Sequence, residues 1–231
     1  MELRSLLGHF LCMKDNPSSL DVSGVSLAVC RGACHGPCPF KLDVGDFPEV
    51  LAKILRVSGW PEFLAERLGR APRKHEELRL SVAACASGCS RPHVADMGFI
   101  MASRPAVDPD RCEGCGICAG RCPDRAIDLK AGVAAIDRQA CLDCGQCIAA
   151  CPKGAMVCEA QGFRVLVGGR LGRRPRLAVE APRLRTPGEC ADLVQAAAAA
   201  LMKTYRRGRR LADALLEANL PGLGVESNEK N

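Results

Sequence analysis

At 231 residues, 48% apolar and 25% charged, the chain can bury the core of one large domain or two small ones, and wholesale disorder is excluded. A net charge of +6 with only 3% aromatics argues against a base-stacking nucleic-acid platform, and no apolar run approaches the roughly 20 residues that span a bilayer. Sixteen cysteines behind no secretory leader point to metal or cluster ligation rather than a disulfide framework, so a cytoplasmic chain is expected.

The opening, "MELRSLLGHFLCMK", has a short apolar patch, but Glu2 offsets Arg4 and no small-residue cleavage site follows. Next comes "VSLAV", a β-type run that ends at a first cysteine group, Cys30, Cys34 and Cys38. "FPEVLAKILRVSG" sets Val50, Leu51, Ile54 and Leu55 on one helical stripe that Gly59 can end. "WPEFLAERLG" has proline in its first turn and stops at Gly69, a second helix. In "RLSVAAC" the residues Leu80, Val82 and Ala84 share one face of a short strand that delivers Cys85 to the loop "CASGC". That loop closes with "SRP" after Cys89.

Two cysteine runs follow, almost in phase. "CEGCGICAGRCP" carries Cys112, Cys115, Cys118 and Cys122, and "CLDCGQCIAACP" carries Cys141, Cys144, Cys147 and Cys151, each run closed by proline. This is the C-x2-C-x2-C-x3-C-P spacing of bacterial two-cluster ferredoxins, in which the fourth cysteine of each run ligates the other cluster. Cys112, Cys115, Cys118 and Cys151 are therefore assigned to one [4Fe-4S] cluster, and Cys141, Cys144, Cys147 and Cys122 to a second. Thiolates are soft ligands suited to iron–sulfur clusters, and Gly114, Gly116 and Gly145 let backbone wrap closely. Zinc ribbons would instead use C-x2-C pairs with longer spacers.

After the runs, "FRVLV" reads as a strand. "TPGECADLVQAAAAALMKTY" opens with a capping-box pattern, Thr186 to Glu189, and continues with helix-favouring alanines. A last helix runs through "RRLADALLEANL". Basic residues dominate from Arg164 to Arg210, but "YRRGRR" with its single tyrosine makes no case for nucleic acid. His35 and His93 sit beside cysteine loops as hydrogen-bond donors or plain surface, and Cys12, Cys34, Cys158 and Cys190 read as free thiols.

Three stretches together carry a resemblance. "ACASGCSRPHVADMGFI" around Cys85 and Cys89, the group at Cys30 to Cys38, and "GFRVLVGGRLGRRPRLA" after the ferredoxin runs resemble the sulfite and nitrite reductase family that couples sirohaem to a [4Fe-4S] cluster. The resemblance covers roughly residues 25–215, and the ferredoxin runs stand where dissimilatory and anaerobic sulfite reductases carry an inserted ferredoxin domain. It implies a third [4Fe-4S] cluster on Cys30, Cys38, Cys85 and Cys89, with Cys89 bridging to the sirohaem iron. Two departures stand out. Cys30 and Cys38 are further apart than the family's C-x5-C, with Cys34 between them as a spare or alternative ligand. The stretch before Cys30 is also too short for the half-domain that family members place there, so a second copy or another subunit is expected to complete the pocket.

The expected fold is α+β, a nitrite/sulfite reductase 4Fe-4S-type domain with an inserted ferredoxin-like domain holding two [4Fe-4S] clusters. Its divisions are an N-terminal segment at 1–24, reductase-like parts at 25–103 and 161–231, and the ferredoxin insert at 104–160. The resemblance implies an oxidoreductase that passes electrons from an electron-donor protein through the ferredoxin clusters to a [4Fe-4S]–sirohaem centre. That centre would reduce a small inorganic anion, sulfite or nitrite. Cys89 and Arg91 are the implied catalytic positions, and Arg170, Arg173 and Arg174 the implied contacts to the tetrapyrrole carboxylates. The competing expectation is a polyferredoxin-like electron carrier without sirohaem.

Overall fold

The apolar runs that end at Cys30 and Cys85 lie side by side. Strand β1 (Val25–Val29) pairs in parallel with β2 (Leu78–Ala83), from Val25↔Leu78 to Val29↔Val82. The computed structural model describes residues 20–30, 42–218 and 220, so Cys12, Cys34, His35 and Cys38 lie outside the described residues. A parallel pair needs a crossover connection, and the two expected helices supply it. Helix α1 (Phe47–Val57) buries Phe47, Leu51 and Leu55, and α2 (Trp60–Leu68) buries Trp60, Leu64 and Leu68. Gly59 turns the chain between them at φ 78° and Gly69 ends α2 at φ 65°, left-handed backbone that favours glycine.

β2 pairs in parallel on its other edge with β3 (Met97–Val107). The chain then makes an excursion through α3 (Ile117–Arg121), β4 (Ile127–Lys130), β5 (Val133–Ile136) and α4 (Gln146–Ala150). It returns as β6 (Met156–Val167), antiparallel to β3 from Val107↔Met156 back to Met97↔Val167. β7 (Val179–Glu180) completes a five-stranded sheet in the order β1-β2-β3-β6-β7. The sequence marks only "FRVLV" as strand here, whereas β6 runs for 12 residues and β3 for 11. Each supplies the other's backbone partners, a tertiary effect that outweighs local propensity. The pairing slips once, between Arg104 and Pro105, since proline donates nothing to a ladder and sits at bulges.

Helices α5 (Pro187–Thr204) and α6 (Leu211–Glu217) pack with α1 and α2 over one face of the sheet. Phe47, Phe99 and Phe163 meet beneath them, Phe47 and Phe163 stacked at 4.2 Å. The Trp60 indole, fully buried, donates to the Gly24 carbonyl at 3.0 Å. Along β2 the core residues Leu78, Leu80 and Val82 alternate with Arg79 and Ser81, as side chains on a strand must. Arg79 bonds to Asp96 and Ser81 to the Ser90 carbonyl, so the loop after Cys85 folds back under β2.

Thr186 accepts from the Glu189 amide and Glu189 accepts from the Thr186 amide, the reciprocal cap expected at the start of α5. Thr186→Ala is expected to lower unfolding free energy by about 1 kcal/mol, read from a shifted denaturation midpoint at unchanged slope. Among the described residues no helix is long and apolar enough to cross a membrane.

Candidate metal centres

The excursion between β3 and β6 is built as two copies of one device. Gly116 (φ 76°) and Gly145 (φ 70°) start the five-residue helices α3 and α4, and Cys122 and Cys151 end them in extended conformation. The β4–β5 hairpin closes through Ala131 and Gly132, both at positive φ, the turn that matches strand twist. A β carbon at Gly114 would press into the Gly132 carbonyl oxygen, so only glycine lets the first cysteine loop lie against that hairpin.

The eight thiols of the two runs surround two separate hollows. Cys112, Cys115, Cys118 and Cys151 line one, and Cys122, Cys141, Cys144 and Cys147 line the other. The fourth cysteine of each run thus turns to the other run's hollow. Main-chain amides point at the sulfurs: Ala134 donates to Cys112 at 3.4 Å, Ala126 to Cys122 at 3.3 Å and Ala155 to Cys151 at 3.3 Å. Such donors stabilise charge on ligating sulfur, so an all-thiol set with these amides fits an iron–sulfur cluster in each hollow. Among the described residues no three His, Cys, Asp or Glu side chains are placed to hold a single metal ion.

Burial pushes the Cys147 thiol up to about 12, with Cys144 and Cys141 adding to it. Cys118, Cys141 and Cys144 are raised for the same first reason, whereas the Met156 amide lowers Cys151. Buried thiols of this kind lose their protons to a metal, not to water.

The two hollows differ in their attachment. Pro105 of β3 lines the second, and Ser103 bridges to Cys144 and donates its amide to the Asp143 carbonyl at 2.7 Å. The first is reached from β6 only at Met156, and its Cys115 is exposed.

A third thiol group stands at the C-terminal ends of β1 and β2. Cys30 and Cys85 are buried there. Cys30 donates its amide to the Val82 carbonyl at 3.0 Å, and its sulfur accepts from the Ala84 amide at 3.1 Å. Parallel pairing puts both strand ends on one edge, which is why residues so far apart in sequence meet. Cys89 is exposed on the same loop after the Gly88 turn, and Cys38 lies outside the described residues.

Asp96, 3% exposed, anchors this loop, accepting from the Arg79 amide at 2.8 Å and its guanidinium at 2.9 Å. Its carbonyl takes the Gly168 amide at 2.8 Å. A β carbon on Gly169 would stand 2.6 Å from the Ala95 and His93 carbonyls, so the Gly-Gly segment packs backbone to backbone under the loop.

Arg91 is exposed at φ 64° beside Cys89. Arg170 and Arg176 bridge a turn that exposes Arg173 and Arg174, and Ala178 ties that turn to the loop through the His93 carbonyl at 2.7 Å. Arg170 itself is ion-paired with Asp213 at 2.5 Å and bonded to the Arg174 carbonyl. Cys89, Arg91, Arg173 and Arg174 are all exposed, and the turn that carries the last two is tied to the loop that carries the first two. Of the expected contacts, Arg170 is already answered by a carboxylate.

Sequence reasoning passed over Arg79, Asp96, Arg104 and Asp143. Asp143 had a visible signal, since it stands in the second run where the first has Gly114.

The family model for the nitrite and sulphite reductase 4Fe-4S domain matches residues 64–215. Over 97 residues the chain is 40% identical to the coenzyme F420-dependent sulfite reductase of Methanocaldococcus jannaschii, covering 42% of this chain and 16% of that protein. The crystal structure of dissimilatory sulfite reductase I superposes with a TM-score of 0.52 at 16% identity, over 91% of this chain and 57% of that one. For the Mycobacterium tuberculosis NirA protein the TM-score is 0.48 at 16% identity, over 85% of this chain and 26% of that one. The likeness to dissimilatory sulfite reductase I bears on fold alone, and the chain spans less than two thirds of each of these relatives.

Proposed function

The chain belongs to the nitrite and sulphite reductase 4Fe-4S domain family, and from that premise we propose that it is an iron–sulfur subunit of a sulfite- or nitrite-reducing oxidoreductase. The observation that carries this reading is the division of eight thiols between two hollows, beside a third thiol group at the joined ends of β1 and β2. In this reading residues 104–160 are a ferredoxin-like insert, with reductase-like parts at 25–103 and 161–231. Cys112, Cys115, Cys118 and Cys151 hold one [4Fe-4S] cluster, and Cys122, Cys141, Cys144 and Cys147 the other. Cys30, Cys38, Cys85 and Cys89 hold a third, with Cys89 shared with a sirohaem. When bound, these groups supply one-electron transfer and an iron at which a sulfur or nitrogen oxyanion is reduced.

The chain's own residues have simpler tasks. Arg91, Arg173 and Arg174 place positive charge where carboxylates and a small anion would bind. The Arg79–Asp96 pair holds the Cys85–Cys89 loop against the Gly-Gly segment. The pocket is completed by a second copy or another subunit, and an electron-donor protein passes electrons to the ferredoxin-like insert, the lobe between β3 and β6. One observation favours the second reading, a carrier without sirohaem: Arg170 is committed to Asp213.

An anaerobic absorption spectrum with iron and sulfide counts, on protein expressed with a sirohaem supply, separates the two. Tetrapyrrole bands over about twelve cluster irons are expected, and Cys89→Ser should remove the bands while sparing the iron of the lobe. A full iron count without bands in the unaltered protein would establish the carrier.

A further inference from the structure

The two cysteine runs share their four cysteines, the glycine after the second and the closing proline, and differ between these, most tellingly inside the first C-x2-C. Where the first reads Cys112-Glu113-Gly114-Cys115, the second reads Cys141-Leu142-Asp143-Cys144. Gly114 and Asp143 share the same left-handed backbone, φ 64° and 52°. Only glycine is possible in the first, against the Gly132 carbonyl. In the second, a residue that is not glycine accepts the strain of that conformation, and it is an aspartate 8% exposed. Its carboxylate oxygens face two ways. Oδ1 lies 3.7 Å from the Cys141 sulfur, and Oδ2 accepts from Arg104 Nε of β3 at 3.0 Å. The anchor to the sheet, Ser103 amide to Asp143 carbonyl, uses main chain alone and needs no carboxylate. Asp124, which lines the second hollow itself, is exposed, so water screens its charge.

We propose that Asp143 and Arg104 act as a pair that sets the reduction potential of the iron–sulfur group in the second hollow and makes it unlike the first. The proposal rests on the reading that both hollows hold clusters. A fixed negative charge beside a ligating sulfur opposes the arrival of an electron and lowers the potential. Arg104, placed on the outer oxygen and about one third exposed, offsets part of that charge. The pair therefore works as two opposed levers on a single group. Gly114 gives the first hollow no such carboxylate, and the pair that does line it, Glu113 with Lys153, is more than half exposed and so screened by water.

The test is an EPR-monitored redox titration of the full, cluster-loaded chain, with the second-hollow signal identified as the one missing in Cys147→Ser. Asp143→Asn keeps the shape and is expected to move that midpoint upward. Arg104→Gln is expected to move it downward, and Arg104→Lys to restore it. The first-hollow midpoint stays in place throughout. A pair that only fastens the lobe would lower cluster occupancy in both variants without shifts of opposite sign, and that result would overturn the proposal, as would equal shifts of both signals. An unaltered protein whose lobe binds no cluster iron would overturn the two-cluster reading and the proposal together.

Discussion

Asp96→Ala is expected to destabilise the chain by about 3–5 kcal/mol, the range for removing one partner of a buried ion pair. Arg79 would keep its charge, about a quarter exposed, and lose the carboxylate that meets both its amide and its guanidinium. Its guanidinium would still meet the Gly169 carbonyl, at 3.5 Å. Burial pushes the Asp96 carboxyl up, and the Arg79 bonds oppose that shift, so the two groups are suited only to each other. Against a typical total of about 5–15 kcal/mol, such a loss is severe. The chain has a single tryptophan, Trp60, fully buried beneath the helices, which makes denaturant unfolding readable by its fluorescence. Asp96→Asn, which retains hydrogen-bond acceptance, is expected to lose less. A loss under about 1 kcal/mol in Asp96→Ala, the value of an exposed pair, would mean that Arg79 finds another partner.

The second large effect tests the crossing of the two cysteine runs. Cys151 belongs to the second run by sequence and lines the first hollow by structure. Cys151→Ser is therefore expected to deplete the same cluster signal as Cys112→Ser, and to leave the one lost in Cys147→Ser. Each of these changes should cost about four irons per chain if the hollow empties. Cys122→Ser is expected to behave as Cys147→Ser does, because Cys122 lines the second hollow. Were Cys151→Ser instead to remove the signal tied to Cys147, each run would be serving its own hollow and the ligand assignment would fail. Because the buried thiols stay protonated without metal, loading should also release protons, measurable in weakly buffered solution.

Much of this was legible along the chain. The helices α1, α2 and α5 announce themselves by an apolar stripe, a glycine stop or a reciprocal cap, all of which act within a few residues. The grouping of the eight thiols was expected from the spacing of two-cluster ferredoxins, in which the fourth cysteine of each run serves the other cluster. The family resemblance was likewise carried by contiguous motifs. What the sequence by itself determined is thus local, helix type, caps and thiol spacing, whereas the need for glycine at Gly114 comes from the Gly132 carbonyl of the β4–β5 hairpin.

The tertiary structure decided what meets across distance. The Cys30 sulfur reaches the Ala84 amide, next to Cys85, only because β1 and β2 are parallel neighbours whose ends share an edge. β3 became an 11-residue strand because β6 returns along it, though no local pattern marked it. Arg170, expected from the resemblance to meet tetrapyrrole carboxylates, is claimed by Asp213 from α6, and Asp143 by Arg104 from β3. A charged side chain has no partner until the backbone fold brings one within hydrogen-bond reach, where a low local dielectric makes the pairing strong and specific.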